Sequence, residues 1–158
     1  MNIRIGNGYD VHQLADGLPL WLGGLNIEYS KGCVAHSDGD VLVHAICDAM
    51  LGAAGLRDIG VHFPDNDDTY KNIDSKILLK KTVALIQEAG YKVGNIDCIV
   101  CLEKPKIKMH IPIMQKILSE IIEIPETDIS IKATTTEKLG FVGREEGVAA
   151  YAVTLLYR

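Results

Sequence analysis

Hydrophobic residues alternate at the start of the chain. Ile3, Ile5, Tyr9 and Val11 fall on every second position, broken by Gly6 and Gly8, and predict a strand over residues 2–12. LNIEY at 25–29 carries the same period, so the two read as an opening β-pair. The period changes in VLVHAICDAMLGAAG at 41–55, where Val41, Leu42, Ala45, Ile46, Ala49 and Met50 form one helical stripe that stops at glycine. DIGVHFPDNDDTY at 58–70 is punctuated by Gly, Pro and Asp and reads as a long loop.

Further along, a helix is expected through 73–89, a strand through 94–102, and a helix from about 112. Pro112 lies in the first turn of that last helix, and Ile113, Met114, Ile117, Leu118, Ile121 and Ile122 form its buried stripe until Pro125 stops it. ISIKATTT at 129–136 is a strand, EKLGFVGREEG at 137–147 a loop, and VAAYAVTLLYR a final strand that is apolar on both faces. That strand implies either a buried central position or packing against another subunit. No linker, repeat or low-complexity stretch divides residues 1–158, so a single domain is expected. Its fold class is α/β of the α+β type, a mixed β-sheet with helices packed on one face and ferredoxin-like strand–helix–strand elements.

Composition narrows the setting. With 47% hydrophobic and 23% charged residues, the chain has the make-up of a soluble globular domain able to bury a core. Apolar runs fall short of the roughly 20 residues of a membrane span, and MNIRIGNGYD lacks the apolar centre of a signal peptide. Four cysteines in a chain of this size require no disulfide framework, and a reducing cytoplasm is the expected location. Cys98 and Cys101 have CxxC spacing, but three positions apart on a strand they point to opposite faces and read as small buried hydrophobes. A net charge of −5 argues against a nucleic-acid or anionic-membrane surface. Any phosphate must be met by bound cations, helix N-termini or a few placed Lys and Arg.

Several groups of residues have the chemistry for that. Asp10 and His12 are two apart on a strand, so both side chains share a face and can bind one ion. Taken alone, a DxH pair is more often a surface pair or turn cap. Asp40, His44 and Asp48 recur at four-residue spacing along the first helix, a polar ridge that is either solvated or supplies a third ligand in His44. Asp48 would then orient the His44 imidazole. Two imidazoles and a carboxylate leave a fourth tetrahedral position open, as in a working zinc site. HSDGD at 36–40 offers His36, Ser37 and a helix N-terminus to phosphate, or Ser37 or Asp38 as a plain cap. Asp58, Asp65 and Asp67 are either solvated or accept substrate hydroxyls or metal. ATTTEK at 133–138 places three hydroxyls and Glu137 where a strand meets a loop, suited to phosphate and a hard cation such as Mg²⁺, or equally to a plain strand end.

Taken together, GYDVH at 8–12, AHSDGDVLVHAICDAMLGAAGLRDIG at 35–60, FPD at 63–65, PK at 105–106 and KATTTEKLGFVGREEG at 132–147 resemble the 2-C-methyl-D-erythritol 2,4-cyclodiphosphate synthase family of the non-mevalonate isoprenoid pathway. The likeness runs over essentially the whole chain. It implies that Asp10, His12 and His44 bind zinc and that Glu137 helps to hold a second divalent cation, Mg²⁺ or Mn²⁺. It implies phosphate and substrate contacts from His36, Ser37, Asp58, Gly60, Phe63, Asp65, Asp67, Thr136, Phe141 and Arg144, with Asp58 on the methylerythritol hydroxyls. His36, Thr136 and Asp48 would support catalysis. Pro105, Lys106, Ile107, Lys108, Ala133, Thr134 and Thr135 would surround the cytidine group.

The resemblance further implies a homotrimer packed through its sheets, with active sites between neighbouring subunits. A cavity on the trimer axis, lined by Phe141, Arg144 and Glu146, would be open to an isoprenoid diphosphate; an intersubunit Arg144–Glu146 ion pair is the alternative. The expected reaction is cyclisation of 4-diphosphocytidyl-2-C-methyl-D-erythritol 2-phosphate with release of CMP. The chain departs from the family pattern in DNDD at 65–68, in Ile107-Lys108 after the Pro-Lys pair, and at Trp21, where aliphatic residues are usual.

Overall fold

A computed structural model describes residues 2–64 and 66–158. The described residues form seven strands, β1 (Ile3–Asp16), β2 (Leu20–Leu22), β3 (Leu25–Ile27), β4 (Lys31–Val34), β5 (Lys92–Cys101), β6 (Ile129–Thr134) and β7 (Gly147–Tyr157), with three helices following the first four strands and one in each later connection. These are α1 (Val41–Ala54), α2 (Ile59–His62), α3 (Ser75–Glu88), α4 (Ile111–Ile122) and α5 (Gly140–Gly143). The main sheet has five strands in the order β4-β1-β7-β5-β6. Only the β5–β6 pair is parallel, as the α4 crossover between them requires.

The expected mixed sheet with helices on one face is present, with instructive differences in detail. The segment around residues 25–29 does not pair with β1; β3 closes a separate hairpin with β2, and β1 instead pairs with β4 and β7. The supposed loop at 58–70 contains α2 and a 3₁₀ turn at Asp68–Tyr70, and the one at 137–147 contains α5. Within α4, Met114, Leu118 and Ile122 are buried but Ile113 is 49% exposed, since the helix lies on the sheet along a narrower seam than its apolar stripe. α4 ends before Pro125, with Glu123 turning into the left-handed region at φ 64°.

Gly6 and Gly8 do not break β1. A Cβ on Gly6 would lie 2.0 Å from the Ala49 carbonyl oxygen, and one on Gly8 2.0 Å from that of Ala45. The glycines are where α1 settles backbone to backbone on the strand, which no larger residue allows. The alternating Ile3, Ile5, Tyr9 and Val11 therefore face away from α1, 54%, 70%, 46% and 42% exposed. Helix α1 is buried almost all round, between the sheet and α3, so its polar ridge is not a solvated face: Asp40 is fully buried and His44 is 6% exposed.

The doubly apolar last strand is central, between β1 and β5. Val148, Ala150, Ala152, Thr154 and Leu156 are buried on the α1 side, while Tyr151 and Val153 stay open on the other. Cys98 is buried and Cys101 half-buried, and all four cysteines are free thiols. Burial pushes Cys33, Cys47 and Cys98 up to about 12, which keeps them protonated and unreactive. No helix among the described residues is long and apolar enough to cross a membrane.

Candidate metal and phosphate site

The glycine contact between β1 and α1 sets the distance across which the two elements exchange side chains. Asp10 and His12 leave β1 on the α1 side, and His44 leaves α1 one residue before Ala45. The three meet: His44 Nδ1 lies 3.0 Å from Asp10 Oδ2 and 3.1 Å from His12 Nε2, and His12 Nε2 lies 3.1 Å from Asp10 Oδ2. Two donors each about 2 Å from a tetrahedral ion stand about 3.3 Å apart, so this triangle fits a divalent metal with little adjustment. Among the described residues it is the one cluster with metal-ligand chemistry. Partial burial works against the Asp10 carboxylate, but hydrogen bonds and charge from His12 and His44 hold its carboxyl well below the usual range. Burial likewise opposes a charged His44, yet the Asp10 contact and the charges of Asp10, Asp40 and Asp38 raise it.

The triad forms one wall of a cavity of about 350 Å³ lined also by His36, Ser37, Ile59, Gly60, Phe63 and Tyr70. His36 Nε2 is buried with no hydrogen-bond partner among the described residues. Neither Ser37 nor Asp38 caps α1. Asp40 does, accepting from Val43 N–H at 3.0 Å and from Gly23 and Gly24 N–H at 2.9 and 2.6 Å, which ties the β2–β3 turn to the helix start. Burial raises the Asp40 carboxyl against the pull of these three donors. Ser37 is left with its Oγ 3.3 Å from His44 Nε2 and accepting from Gly39 N–H.

Asp48 takes a different partner from the one expected. Its carboxylate accepts the Ile59 N–H at 2.8 Å, holding the start of α2 on α1, and the far nitrogen of His44 meets Ser75 instead. Ser75, fully buried at the head of α3, was invisible to sequence reasoning because no local pattern links it to a histidine 31 positions earlier. Asp58 caps α2 through Val61 N–H, and Asp67 caps the 3₁₀ turn through Thr69 N–H. Phe63 stacks edge-on to Tyr70 with centroids 5.6 Å apart. Asp65 lies outside the described residues.

The residues expected around a nucleotide lie elsewhere. Asp10 pairs across the sheet with Ala150, Ala150 with Val100, and Val100 with Ala133. Three strand spacings, about 14 Å, thus separate the triad from the 133–138 segment. Ala133, Thr134, Glu137, Lys106 and Lys108 are exposed, and Pro105, Thr135 and Thr136 half-buried. Glu137 adopts φ 53° and its carboxylate accepts from Thr135 Oγ at 3.3 Å, while Thr136 Oγ donates to the Leu139 carbonyl at 2.6 Å. Ile107 corrects the expectation: its side chain is 2% exposed and belongs to the hydrophobic core, because the 104–108 turn must anchor itself on something apolar. Arg144 pairs with Glu146 of its own chain through two contacts of 3.0 Å. Phe141 is 38% exposed beside it.

Comparison with known proteins agrees with this architecture. A Bacteroides fragilis protein named 2-C-methyl-D-erythritol 2,4-cyclodiphosphate synthase is 65% identical over 158 residues, covering 100% of this chain and 99% of the relative. A Cytophaga hutchinsonii protein of the same name is 60% identical over 158 residues, again 100% and 99%. Among solved structures, the bifunctional IspDF of Campylobacter jejuni superposes with a TM-score of 0.94 at 46% identity, over 98% of this chain and 42% of that one. A CDP complex of Plasmodium falciparum IspF superposes with a TM-score of 0.86 at 38% identity, over 98% and 96%. The pattern of the YgbB family matches residues 3–157, and the chain belongs to that family.

Proposed function

We propose that this protein cyclises 4-diphosphocytidyl-2-C-methyl-D-erythritol 2-phosphate to 2-C-methyl-D-erythritol 2,4-cyclodiphosphate in non-mevalonate isoprenoid synthesis. The observation that carries the proposal is the Asp10–His12–His44 triangle in the wall of a phosphate-sized cavity, in a chain 65% identical end to end to a protein of that name. An oxygen of the 2-phosphate attacks the β-phosphorus, the bond to the bridging oxygen of the α-phosphate breaks, and CMP departs with that electron pair. No protein nucleophile takes part, so the chain has to orient the groups and neutralise charge.

Zinc is the metal this donor set suits, and it would supply Lewis-acid polarisation of a phosphoryl oxygen. Ser37 and His36 line the same cavity as phosphate donors. Asp58 and Gly60, at the head of α2, face the methylerythritol hydroxyls. Pro105, Lys106, the backbone around Lys108, and Ala133 to Thr135 hold the cytidine. Thr136 serves the diphosphate, and Glu137 binds a second cation, Mg²⁺ or Mn²⁺. The roughly 14 Å between the two ends within one chain supports a homotrimer in which the nucleotide end of one subunit meets the metal end of its neighbour. The open apolar face of the sheet, where the Tyr9 and Tyr151 rings lie 4.8 Å apart, is the surface for that packing. An isoprenoid diphosphate on the trimer axis would lie beside Phe141 and Arg144.

Incubation with the cytidylylated substrate tests the reading. Cyclic diphosphate and CMP are expected, lost on chelation and restored by zinc with magnesium. Release of inorganic phosphate would mean a metal-dependent hydrolase instead.

A further inference from the structure

The far side of His44 is as ordered as the side facing the cavity. Its Nε2 lies 2.9 Å from Ser75 Oγ. Ser75 Oγ in turn donates to Asp38 Oδ1 at 2.5 Å, and the Ser75 N–H donates to Asp38 Oδ2 at 2.9 Å. Asp38 Oδ1 also accepts the Asp40 N–H at 3.1 Å. Three donors thus converge on this carboxylate from the α1 and α3 heads, the arrangement an ionised, acceptor-only group requires.

We infer that Asp38 and Ser75 are positioning residues that hold a proton on His44 Nε2, so that Nδ1, which faces Asp10 Oδ2 at 3.0 Å and gives up the proton of that hydrogen bond on metal binding, is the metal-binding nitrogen. A hydroxyl carries one proton. Ser75 spends it on Asp38, so towards His44 its oxygen can only accept, and Nε2 must be the donor. The tautomer is therefore dictated from outside the cavity, by a serine and an aspartate 37 residues apart that meet only when α3 docks on α1. Ligating histidines are commonly oriented by such a partner, and its loss weakens metal binding by about 10- to 100-fold. The inference rests on the reading of Asp10, His12 and His44 as ligands, but the proton on Nε2 does not.

The relay makes an unusual demand on its variants. In Asp38→Asn the amide can turn its NH₂ towards Ser75, whose hydroxyl then points at His44 and asks for a bare Nε2, with the proton on Nδ1 facing the metal. Ser75→Ala removes the dictation altogether and leaves Ser37 Oγ as a weaker partner for Nε2. Asp38→Asn is expected to weaken zinc binding more than Ser75→Ala, and the double variant to bind like Ser75→Ala alone. Ser75→Ala should thus restore part of the affinity that Asp38→Asn loses, a rescue that two contacts serving only to hold α1 and α3 together would not give.

The experiment is zinc affinity of the purified protein by chelator competition for the wild type and these three variants. It is paired with the melting temperature in chelator and with ¹⁵N-histidine NMR of the metal-free protein. Expected results are a slowly exchanging proton on His44 Nε2 that Ser75→Ala loses, a 10- to 100-fold affinity loss in Ser75→Ala, and the non-additive order above. Wild-type affinity in Ser75→Ala, or a bare Nε2 in the wild type, overturns the relay. If Asp38→Asn does not fold, the Ser75→Ala affinity and the Nε2 proton decide alone. Failure of the wild type to bind zinc while the Nε2 proton is present would sink the metal reading and leave the relay standing.

Discussion

The metal end and the nucleotide end of the proposed site are built in opposite ways. Asp10, His12 and His44 are held by a backbone-tight glycine contact and by partners behind His44, and they stand in register before any ligand arrives. Ala133, Thr134 and Glu137 sit at an exposed strand end, and the hydroxyls beside them bond to their own loop. One end is preorganised by the fold of a single chain, whereas the other is exposed and its hydroxyls are engaged only within their own loop. In the proposed homotrimer a site divided in this way would couple catalysis to assembly, because the trimer would bring both ends to one substrate.

The comparison can be broken at its base by Gly8→Ala. The new Cβ would stand 2.0 Å from the Ala45 carbonyl oxygen, so α1 has to lift and carry His44 away from Asp10. A destabilisation of about 3 kcal/mol is expected in urea unfolding, with loss of zinc; wild-type stability would show that the approach is not needed. His44→Ala should abolish zinc binding and cyclisation while the chain still folds, and full zinc content in that variant would remove His44 from the ligands. Tyr151→Glu, on the open sheet face, should give monomers by light scattering that keep zinc but lose turnover, and an active monomer would show that one chain holds the whole site. Lys106→Ala should touch only the exposed end, raising KM by about tenfold through loss of a charged contact, with unchanged zinc content.

The smallest effect is the pH dependence of the metal-free protein. The Asp10 carboxyl lies below its ordinary value, so its contribution is fully present above about pH 4 and drains as pH falls further. His44 is raised, so its contribution is complete below about pH 6.5 and is lost as pH climbs through the raised value. Melting temperature in chelator should therefore peak between those limits. Its alkaline decline should flatten in His44→Ala, whereas an equal decline in both proteins would assign it to another group.

The elements that local pattern predicts are those whose neighbours along the chain decide their form. The 3.6-residue stripe announced α1, and the two-residue step of Asp10 and His12 announced a shared face. Errors arose where a partner far along the chain decided the outcome. The strand through Gly6 and Gly8 was read correctly, but what the two glycines do there was not, because it lies in the Ala45 and Ala49 carbonyls across from them. Asp48 read as the support of His44 by helical spacing, but Ile59 N–H reaches it first. Ile107 read as a nucleotide contact by its place beside Pro105 and Lys106, yet the core claims it.

By itself the amino-acid sequence determined the periodic elements, the acidic charge and the shared face of Asp10 and His12, since side-chain direction within a strand or helix follows from backbone geometry alone; the family resemblance joined His44 to them as a candidate ligand. Only the tertiary structure decided that β1 and α1 approach closely enough for those ligands to meet at 3.0–3.1 Å. It alone also decided that Asp38 and Ser75 stand behind His44, and which face of the sheet stays open. Those outcomes depend on docking between segments remote in the chain, where the distance between two backbones, and not the period of either, selects the contacts.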